Sequence, residues 1–360
     1  MRESQRAVAK PKPREIDKIA LIVRPESPEL ADACSEVIAI FERFGVEVCV
    51  LESSVKSLGL DSRLACKESE LGERAQALVS LGGDGTLISA VRISLGLNLP
   101  VLGINMGRLG FLTAIKPSEL EEFVPLLRSG EYALDSHHLL QGYLARDSQG
   151  DLSLGRHSRG GFLTNDGDCY GKSAGTHAQA RAFDSPCKAP FLPQISCHEQ
   201  TELESKSLDS SENIFYVLNE ILITKKDISG MTKIYATINN EHFHTYRADG
   251  LIIATPTGSS AYNISAGGSL VHPQCRVILL TPVCAHSLTQ RPMIVSDSFC
   301  LQFSVEEDSV IMLDGQERID FRKGDTLFVQ GSFPIQLIQH PKRSYFAVLE
   351  EKFGLGGKQV

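Results

Sequence analysis

The residues best suited to chemistry are Gly-Gly-Asp-Gly-Thr at 82–86, between an apolar run, Ala77–Leu81, and apolar residues at helical spacing, Leu87–Leu95. A glycine turn between a strand and a helix lets the backbone approach a ligand closely, and the helix N-terminus favours an anion. Asp84 is the exception, because a carboxylate repels phosphate unless it handles a proton or a metal ion. The alternative is a tight turn that needs glycine for its backbone alone.

Two further segments place polar groups in apolar surroundings. Asn105–Thr113 follows an apolar run and carries two glycines and one cation, Arg108. Asn219-Glu220 interrupts two apolar runs, and a polar pair is costly to bury unless both groups are satisfied. The pair therefore indicates either a structural role or contact with the hydroxyls of a ligand. For Asn105–Thr113, the alternative to a ligand-binding role is a loop with ordinary glycines.

Two segments flank a third apolar run, Leu251–Ala254. Arg247–Gly250 precedes this run, and Thr255–Gly268 follows it with hydroxyls and three glycines around Tyr262. Hydroxyls and free backbone amides suit ribose and phosphate oxygens, and Tyr262 can lie against a base. A flexible loop is the alternative. Asp314-Gly315-Gln316 favours a hairpin turn and by itself indicates no chemistry.

Several classes of function are disfavoured by motif and charge. The chain has no Gxxxx-GK[ST] loop, GxSxG elbow, HExxH motif or paired cysteine ligands, so a kinase here would lie outside the P-loop and protein-kinase classes, and we expect no dedicated metal site. A net charge of −8 argues against nucleic acid, and no apolar stretch suits a membrane span. The 9 cysteines lack CxxC spacing, which favours reduced thiols and a cytoplasmic location.

The apolar pattern predicts two domains in 360 residues. Strands at 19–23, 46–51, 78–81 and 101–104 alternate with helices at 28–44, 87–95 and 119–127, which predicts an α/β, Rossmann-like domain with a parallel sheet. Ligands bind such sheets at the carboxyl ends of the strands, where Asp84 lies.

From about residue 132 the pattern predicts mostly antiparallel β structure, sandwich-like. The predicted strands are 214–218, 221–224, 234–238, 242–246, 251–255, 277–281, 294–295, 299–305, 310–313 and 326–330. We expect a flexible arm at 1–15, an α/β domain at 16–132 completed by 341–360, and a β-rich domain at 133–340. Residues 147–212, poor in aliphatic side chains, predict a disordered or surface insert, and their cysteines and histidines match no tight pair of zinc ligands.

In order along the chain, Gly82–Thr86, Asn105–Thr113, Asn219-Glu220 and Asp249–Gly268 resemble the NAD kinase family, over nearly the whole chain outside the arm and the insert. The first motif is shared with diacylglycerol and sphingosine kinases and, loosely, with phosphofructokinases. The second and fourth are more specific, since a lipid kinase would follow its glycine motif with a Gly-x-x-Asn-Asp loop.

The resemblance implies transfer of a phosphoryl group to the 2′-hydroxyl of the adenosine ribose of NAD, giving NADP, in a site between the two domains. It implies ATP or polyphosphate as donor, magnesium that arrives with ATP, and a homodimer or homotetramer. Arg247 favours an ATP-using enzyme that prefers NAD to NADH.

The resemblance also assigns roles to single residues. Asp84 would be the general base, with Gly85 beside the dinucleotide. Asn219 and Glu220 would hold the adenosine ribose hydroxyls, while Asp249 would contact the nicotinamide end and Arg247 would lie near the dinucleotide. The remaining NAD-binding residues, in the adenine and ribose pocket and at the 314–316 turn, would be Ser260, Ala261, Tyr262, Asn263, Ile264, Ser265 and Gln316.

Two other functions fit the same motifs. One is a kinase of a lipid or sugar acceptor, although no amphipathic or basic membrane segment supports a lipid. The other is a dinucleotide-binding regulator without catalysis, which the intact Asp84 disfavours.

Overall fold

The computed structural model describes residues 13–24, 30–107, 110–147, 213–226, 230–287 and 289–354. The predicted arm, apart from residues 13–15, and the predicted insert, apart from Asp147, lie outside the described residues.

The N-terminal elements form the predicted α/β arrangement. They are β1 (Lys18–Val23), α1 (Ala31–Arg43), β2 (Glu47–Leu51), α2 (Glu52–Leu58), β3 (Ala65–Cys66), α3 (Leu71–Arg74), β4 (Ala77–Gly82), α4 (Asp84–Ser94), β5 (Val101–Asn105) and α5 (Leu120–Ser129). The five strands pair in parallel in the order β5-β4-β1-β2-β3. The parallel sheet with helices packed on it is thereby confirmed.

Helices cover both faces of the parallel sheet. Ile19 and Leu21 of β1 pack with Phe41 of α1 and Phe123 of α5, whereas Ala20 packs on the opposite face with residues of α3 and α4. Because both faces are covered, the strands are continuously apolar, which is why the sequence shows them so clearly.

The second half is mostly antiparallel β structure, as predicted. Its elements are β6 (Ala133–Ala145), β7 (Ile214–Val217), β8 (Glu220–Lys225), β9 (Thr232–Ile238), β10 (Glu241–Ala248), β11 (Gly250–Ala254), α6 (Tyr262–Ser265), β12 (Val277–Val283), β13 (Met293–Ser296), β14 (Leu301–Val305), β15 (Ser309–Leu313), β16 (Glu317–Phe321), β17 (Thr326–Gln339) and α7 (Tyr345–Phe353). One antiparallel sheet has the order β13-β12-β11-β8-β15-β16.

A single long strand, β17, joins the two halves. It pairs with β6 along its length and with β14, both antiparallel, and its end pairs in parallel with β5 through Leu337 and Ile338. The parallel strands and the second antiparallel set therefore belong to one 11-stranded sheet. The sequence predicted only 326–330 of this strand, because Gly331 and Pro334 interrupt the apolar pattern where the pairing with β6 shifts.

The segment after β17 crosses from one half to the other. The Tyr345 hydroxyl donates to the Val271 carbonyl, while the Phe353 ring lies 5.4 Å from the ring of Phe111. The predicted domain boundaries, including completion of the first domain by 341–360, stay predictions. Within the described residues, no helix is long and apolar enough to cross a membrane.

Gly103 of β5 lies where the sheet meets the candidate site. A Cβ there would lie 2.6 Å from Leu87 Cδ1 and 2.9 Å from Thr113 Cα. We therefore expect Gly103→Ala to lower the free energy of unfolding by about 1–3 kcal/mol through overpacking, measured by urea denaturation. Gly96→Ala is the control, since a Cβ at Gly96 would have no neighbour within 4 Å. Equal stability of the two variants would contradict this packing.

Candidate active site

Asp84 begins α4 directly after a glycine turn. Gly82 ends β4 with φ 153°, where a Cβ would collide with the Thr86 side chain, so the turn needs glycine. The Phe111 backbone N–H donates to Asp84 Oδ2 at 3.2 Å. Asp84 Oδ1 is buried and has no hydrogen-bond partner among the described residues. Since an unpaired buried acceptor is costly, Oδ1 marks Asp84 as the residue of this turn that has hydrogen-bonding capacity left for a ligand.

The loop after β5 closes against Asp84. Gly110 packs on the carboxylate so closely that a Cβ would collide with both oxygens. The Thr113 hydroxyl accepts from Asn105 Nδ2 at 2.8 Å and from the Gly110 N–H at 3.1 Å, which fixes the loop. Arg108 of the predicted motif lies outside the described residues.

The predicted hairpin turn at 314–316 joins β15 to β16 and does more than turn the chain. Asp314 and Gly315 have φ 49° and 65°, as in a type I′ turn. The Asp314 carboxylate accepts the N–H groups of Leu218, Asn219 and Glu220 at 3.1, 2.7 and 3.1 Å. The turn therefore positions the Asn-Glu pair, a role that the sequence did not reveal.

The same turn contacts the helix that carries Asp84. Gln316 Nε2 donates to the Gly85 carbonyl at 2.8 Å. Arg92, in the last turn of α4, donates to the Leu313 carbonyl at 3.2 Å and lies 3.7 Å from Asp314 Oδ2. Asp84, Gly85, Gln316 and the Asn-Glu pair are thus brought together.

Glu220 is 7% exposed, and its Oε2 has no hydrogen-bond partner among the described residues. Burial and, second, the negative charge of Asp314 raise the pKa of Glu220 to about 7. Burial also raises the pKa of Asp314, while its three N–H donors and Arg92 oppose that shift. Glu220 therefore holds its proton up to near-neutral pH in the free protein.

The Thr255–Gly268 segment packs against Asn219. The Thr255 hydroxyl donates to the Leu218 carbonyl at 2.6 Å and accepts the Gly258 N–H at 2.9 Å. A Cβ on Gly258 would collide with the Asn219 backbone, so glycine is required for this approach. The segment therefore has a defined conformation that its hydrogen bonds and close packing hold in place, and it is not merely a flexible loop.

Residues 260–265 differ in exposure. Tyr262 is 42% exposed, Ser265 is exposed, and Ser260, Ala261 and Ile264 are half-buried. Asn263 is fully buried: its amide donates to the carbonyls of Ser259 and Ser269 and accepts from the Thr281 hydroxyl at 2.7 Å. These hydrogen bonds hold the loop together from its buried side. The contact of Asn263 with NAD stays a prediction.

Arg247 and Asp249 lie away from the other predicted residues. Asp249 precedes β11, whose Gly250 pairs with Thr224, while Ala254 at the other end pairs with Glu220. Four residue steps along a strand put about 14 Å between the two ends. The Asp249 carboxylate is paired with Lys225 at 2.8 Å. Within one chain, the structure does not bring this pair to Asp84.

A cavity of about 170 Å³ lies between the two halves, lined among others by Phe111, Thr257, Ser260 and Arg343. A larger cavity of about 570 Å³ lies by residues 75–76 and 98–100, at the amino ends of β4 and β5. Because ligands of parallel sheets bind at the carboxyl ends, we assign the site to the region of Asp84 and the smaller cavity. Arg343 was not predicted as a site residue, since no motif of the sequence surrounds it.

Comparison with known proteins agrees with this arrangement. Residues 19–132 match the model of the ATP-NAD kinase N-terminal domain, and residues 218–339 match that of the ATP-NAD kinase C-terminal domain. A NAD kinase of Helicobacter hepaticus is 39% identical over 342 residues, which is 95% of this chain and 97% of that protein. The chain belongs to the NAD kinase family. The NAD kinase of Wolinella succinogenes is 38% identical over 347 residues, 95% of this chain and 96% of that one.

Solved structures of NAD kinases and related kinases share the fold. A yeast NADH kinase complexed with NADH has a TM-score of 0.71 and 21% identity, covering 96% of this chain and 90% of its own. An Archaeoglobus fulgidus NAD kinase in complex with ATP has a TM-score of 0.58 and 20% identity, covering 92% and 97%. This NAD kinase family member therefore has the family's two-domain fold.

The environment of Glu220 predicts a pH-dependent stability. A glutamate in the unfolded chain titrates near pH 4.5, whereas the folded pKa is about 7. The contribution of this group to stability is therefore fully present below pH 4.5 and is lost as the pH rises through 7. Glu220→Gln should remove this loss, so that the variant gains on the order of 1–3 kcal/mol over wild type between pH 5 and pH 8.

Urea denaturation at both pH values measures the difference. Glu36→Gln, on the exposed side of α1, is the control and should keep the wild-type pH dependence. If Glu220→Gln keeps it as well, the buried proton on Glu220 is ruled out.

Proposed function

We propose that this chain transfers the γ-phosphoryl group of ATP to the 2′-hydroxyl of the adenosine ribose of NAD, giving NADP and ADP. The observation that supports this most is the half-buried carboxylate of Asp84 at the carboxyl end of the sheet, whose Oδ1 has no hydrogen-bond partner among the described residues. It lies beside an Asn-Glu pair that Asp314 holds in place. The names of the relatives and the bound ATP and NADH of the two similar structures support the same substrates.

Asp84 acts as the general base in this proposal. Its carboxylate takes the proton of the 2′-hydroxyl as the oxygen attacks the γ-phosphorus, and the bond to the bridging oxygen of ADP breaks. A placed carboxylate contributes about 10²–10⁴-fold to such a step. The Asp84 carboxylate supplies oxygen atoms of the kind that Mg²⁺ accepts, so the site fits magnesium delivered with ATP. When bound, magnesium would neutralise phosphate charge.

The Asn-Glu pair and the Thr255–Gly268 segment orient the dinucleotide. We place the adenosine ribose hydroxyls at Asn219 and at the unpaired Oε2 of Glu220. A hydroxyl that donates to Oε2 satisfies this oxygen, which favours loss of the Glu220 proton on binding. The exposed ring of Tyr262 is available to the base.

We propose a role for Arg247 and Asp249 in an assembly. Gly250, next to Asp249, lies about 14 Å along β11 from Ala254, the residue paired with Glu220. In this proposal the side chains of Arg247 and Asp249 reach the nicotinamide end of a bound NAD from a second copy of the chain. We therefore propose a homodimer or homotetramer. The six described cysteines are free, which suits a cytoplasmic protein.

The purified chain should make NADP from NAD, ATP and Mg²⁺, detected with an NADP-specific dehydrogenase. Polyphosphate as donor and diacylglycerol as competing acceptor belong in the same assay. NADP formation excludes a lipid kinase and a non-catalytic regulator together. Binding of NAD by calorimetry with no NADP from either donor would reject the proposed reaction.

Asp84→Asn tests the base. The amide keeps an acceptor for the Phe111 N–H but cannot take the proton, so we expect kcat to fall on the order of 10²-fold or more while NAD binding and folding persist. Asp32→Asn, exposed on α1, is the control and should leave kcat unchanged. A near-normal kcat of Asp84→Asn would remove Asp84 from this role.

A further inference from the structure

The Arg343 side chain makes three hydrogen bonds to one loop, although it lies outside the recognised motifs. It lies between β17 and α7, beyond the residues 218–339 that match the C-terminal family model. Its guanidinium donates to the carbonyls of Gly110 and Phe111 at 3.2 Å each and to the carbonyl of Thr113. One cation therefore binds three backbone acceptors of one loop.

That loop is the one that holds Asp84. Its Phe111 N–H donates to Asp84 Oδ2, and its Gly110 lies in contact with the carboxylate. Arg343 binds the carbonyls on either side of the Phe111 N–H, those of Gly110 and Phe111. The three side-chain hydrogen bonds thus fix the peptide groups whose opposite edge faces Asp84.

The charges around Arg343 agree with this arrangement. Burial lowers the pKa of the Arg343 guanidinium, and the negative charges of nearby carboxylates oppose that shift, with Asp84 the largest contributor. The other carboxylates around it are Asp135, Glu119 and Glu351. A charged hydrogen bond is stronger than a neutral one, so Arg343 ties the loop more firmly than an uncharged side chain would.

We propose that Arg343 is a positioning residue for phosphoryl transfer: it holds the Gly110–Thr113 loop against α4, so that Asp84 keeps its hydrogen bond to the Phe111 N–H and the carboxylate keeps the orientation that it needs toward the acceptor hydroxyl. This inference rests on the proposed function. Arg343 does not itself contact the reacting atoms, and its effect passes through Asp84.

Arg343→Gln tests the proposal. Lys342→Gln is the matched control, because Lys342 is an exposed neighbour and its substitution removes the same charge. Arg343→Gln should lower kcat on the order of 10- to 10²-fold, since a small misplacement of a catalytic group has effects of this size. Arg343→Lys keeps the charge but not the fork and should fall between the two. An Arg343→Gln kcat equal to that of Lys342→Gln overturns the proposal.

A double-mutant cycle separates positioning from a general structural role. If Arg343 acts through Asp84, then Arg343→Gln added to Asp84→Asn should change kcat by less than about twofold. A loss of the same factor in both backgrounds overturns the proposal. A wild type that makes no NADP in this assay would instead reject the proposed function and, with it, this inference.

Hydrogen exchange supplies a readout that does not need activity. The Phe111 amide should exchange on the order of tenfold faster in Arg343→Gln than in Lys342→Gln, because its acceptor is no longer held in place. Unchanged protection of Phe111 would contradict the role of Arg343 at the loop, whatever the chain phosphorylates.

Discussion

The site depends on the hydrogen bonds that the buried carboxylate of Asp314 makes to the backbone of residues 218–220. This carboxylate accepts three successive N–H groups, and hydrogen bonds to a charged acceptor are each worth about 1.5–3 kcal/mol. Arg92 supplies the nearby positive charge, and it belongs to α4, the helix that begins at Asp84. One turn and one helix therefore set the separation between Asp84 and the Asn-Glu pair.

The 11-stranded sheet fixes the positions of the elements that these hydrogen bonds connect. β17 is hydrogen-bonded to β5 at one end and to β14 at the other, so the parallel and antiparallel strands share one set of backbone bonds. The carboxyl ends of β4 and β5 are thereby fixed relative to the β-rich half. The loops after β4 and β5 then meet at one edge of the sheet, where Gly110 and Phe111 contact Asp84.

Three acids of the site, Asp314, Glu220 and Asp84, are each stabilised differently. Asp314 is paired with amides, Glu220 holds a proton because it is buried, and Asp84 has one N–H donor and the nearby charge of Arg343. These local arrangements let a chain with net charge −8 accommodate phosphate groups, since only the immediate surroundings of the ligand need to be neutralised.

The sequence determined the features that depend on neighbouring residues. Strand and helix alternation, the glycine turn before Asp84 and the turn at 314–316 follow from local periodicity and backbone conformation, and the order of the motifs indicated the family. The sequence did not predict strand β6, because polar residues, among them two histidines, interrupt its apolar pattern. It did not predict the far half of β17, because Pro334 interrupts the pattern there.

Only the tertiary structure decided which distant residues meet. Asp314 binds an amide 96 residues away, and Arg343 binds a carbonyl 233 residues away. The tertiary structure also buried Asn263 and placed Asp249 next to the end of β11 that lies away from Glu220. Such contacts follow from the packing of whole sheets, and no spacing along the chain encodes them.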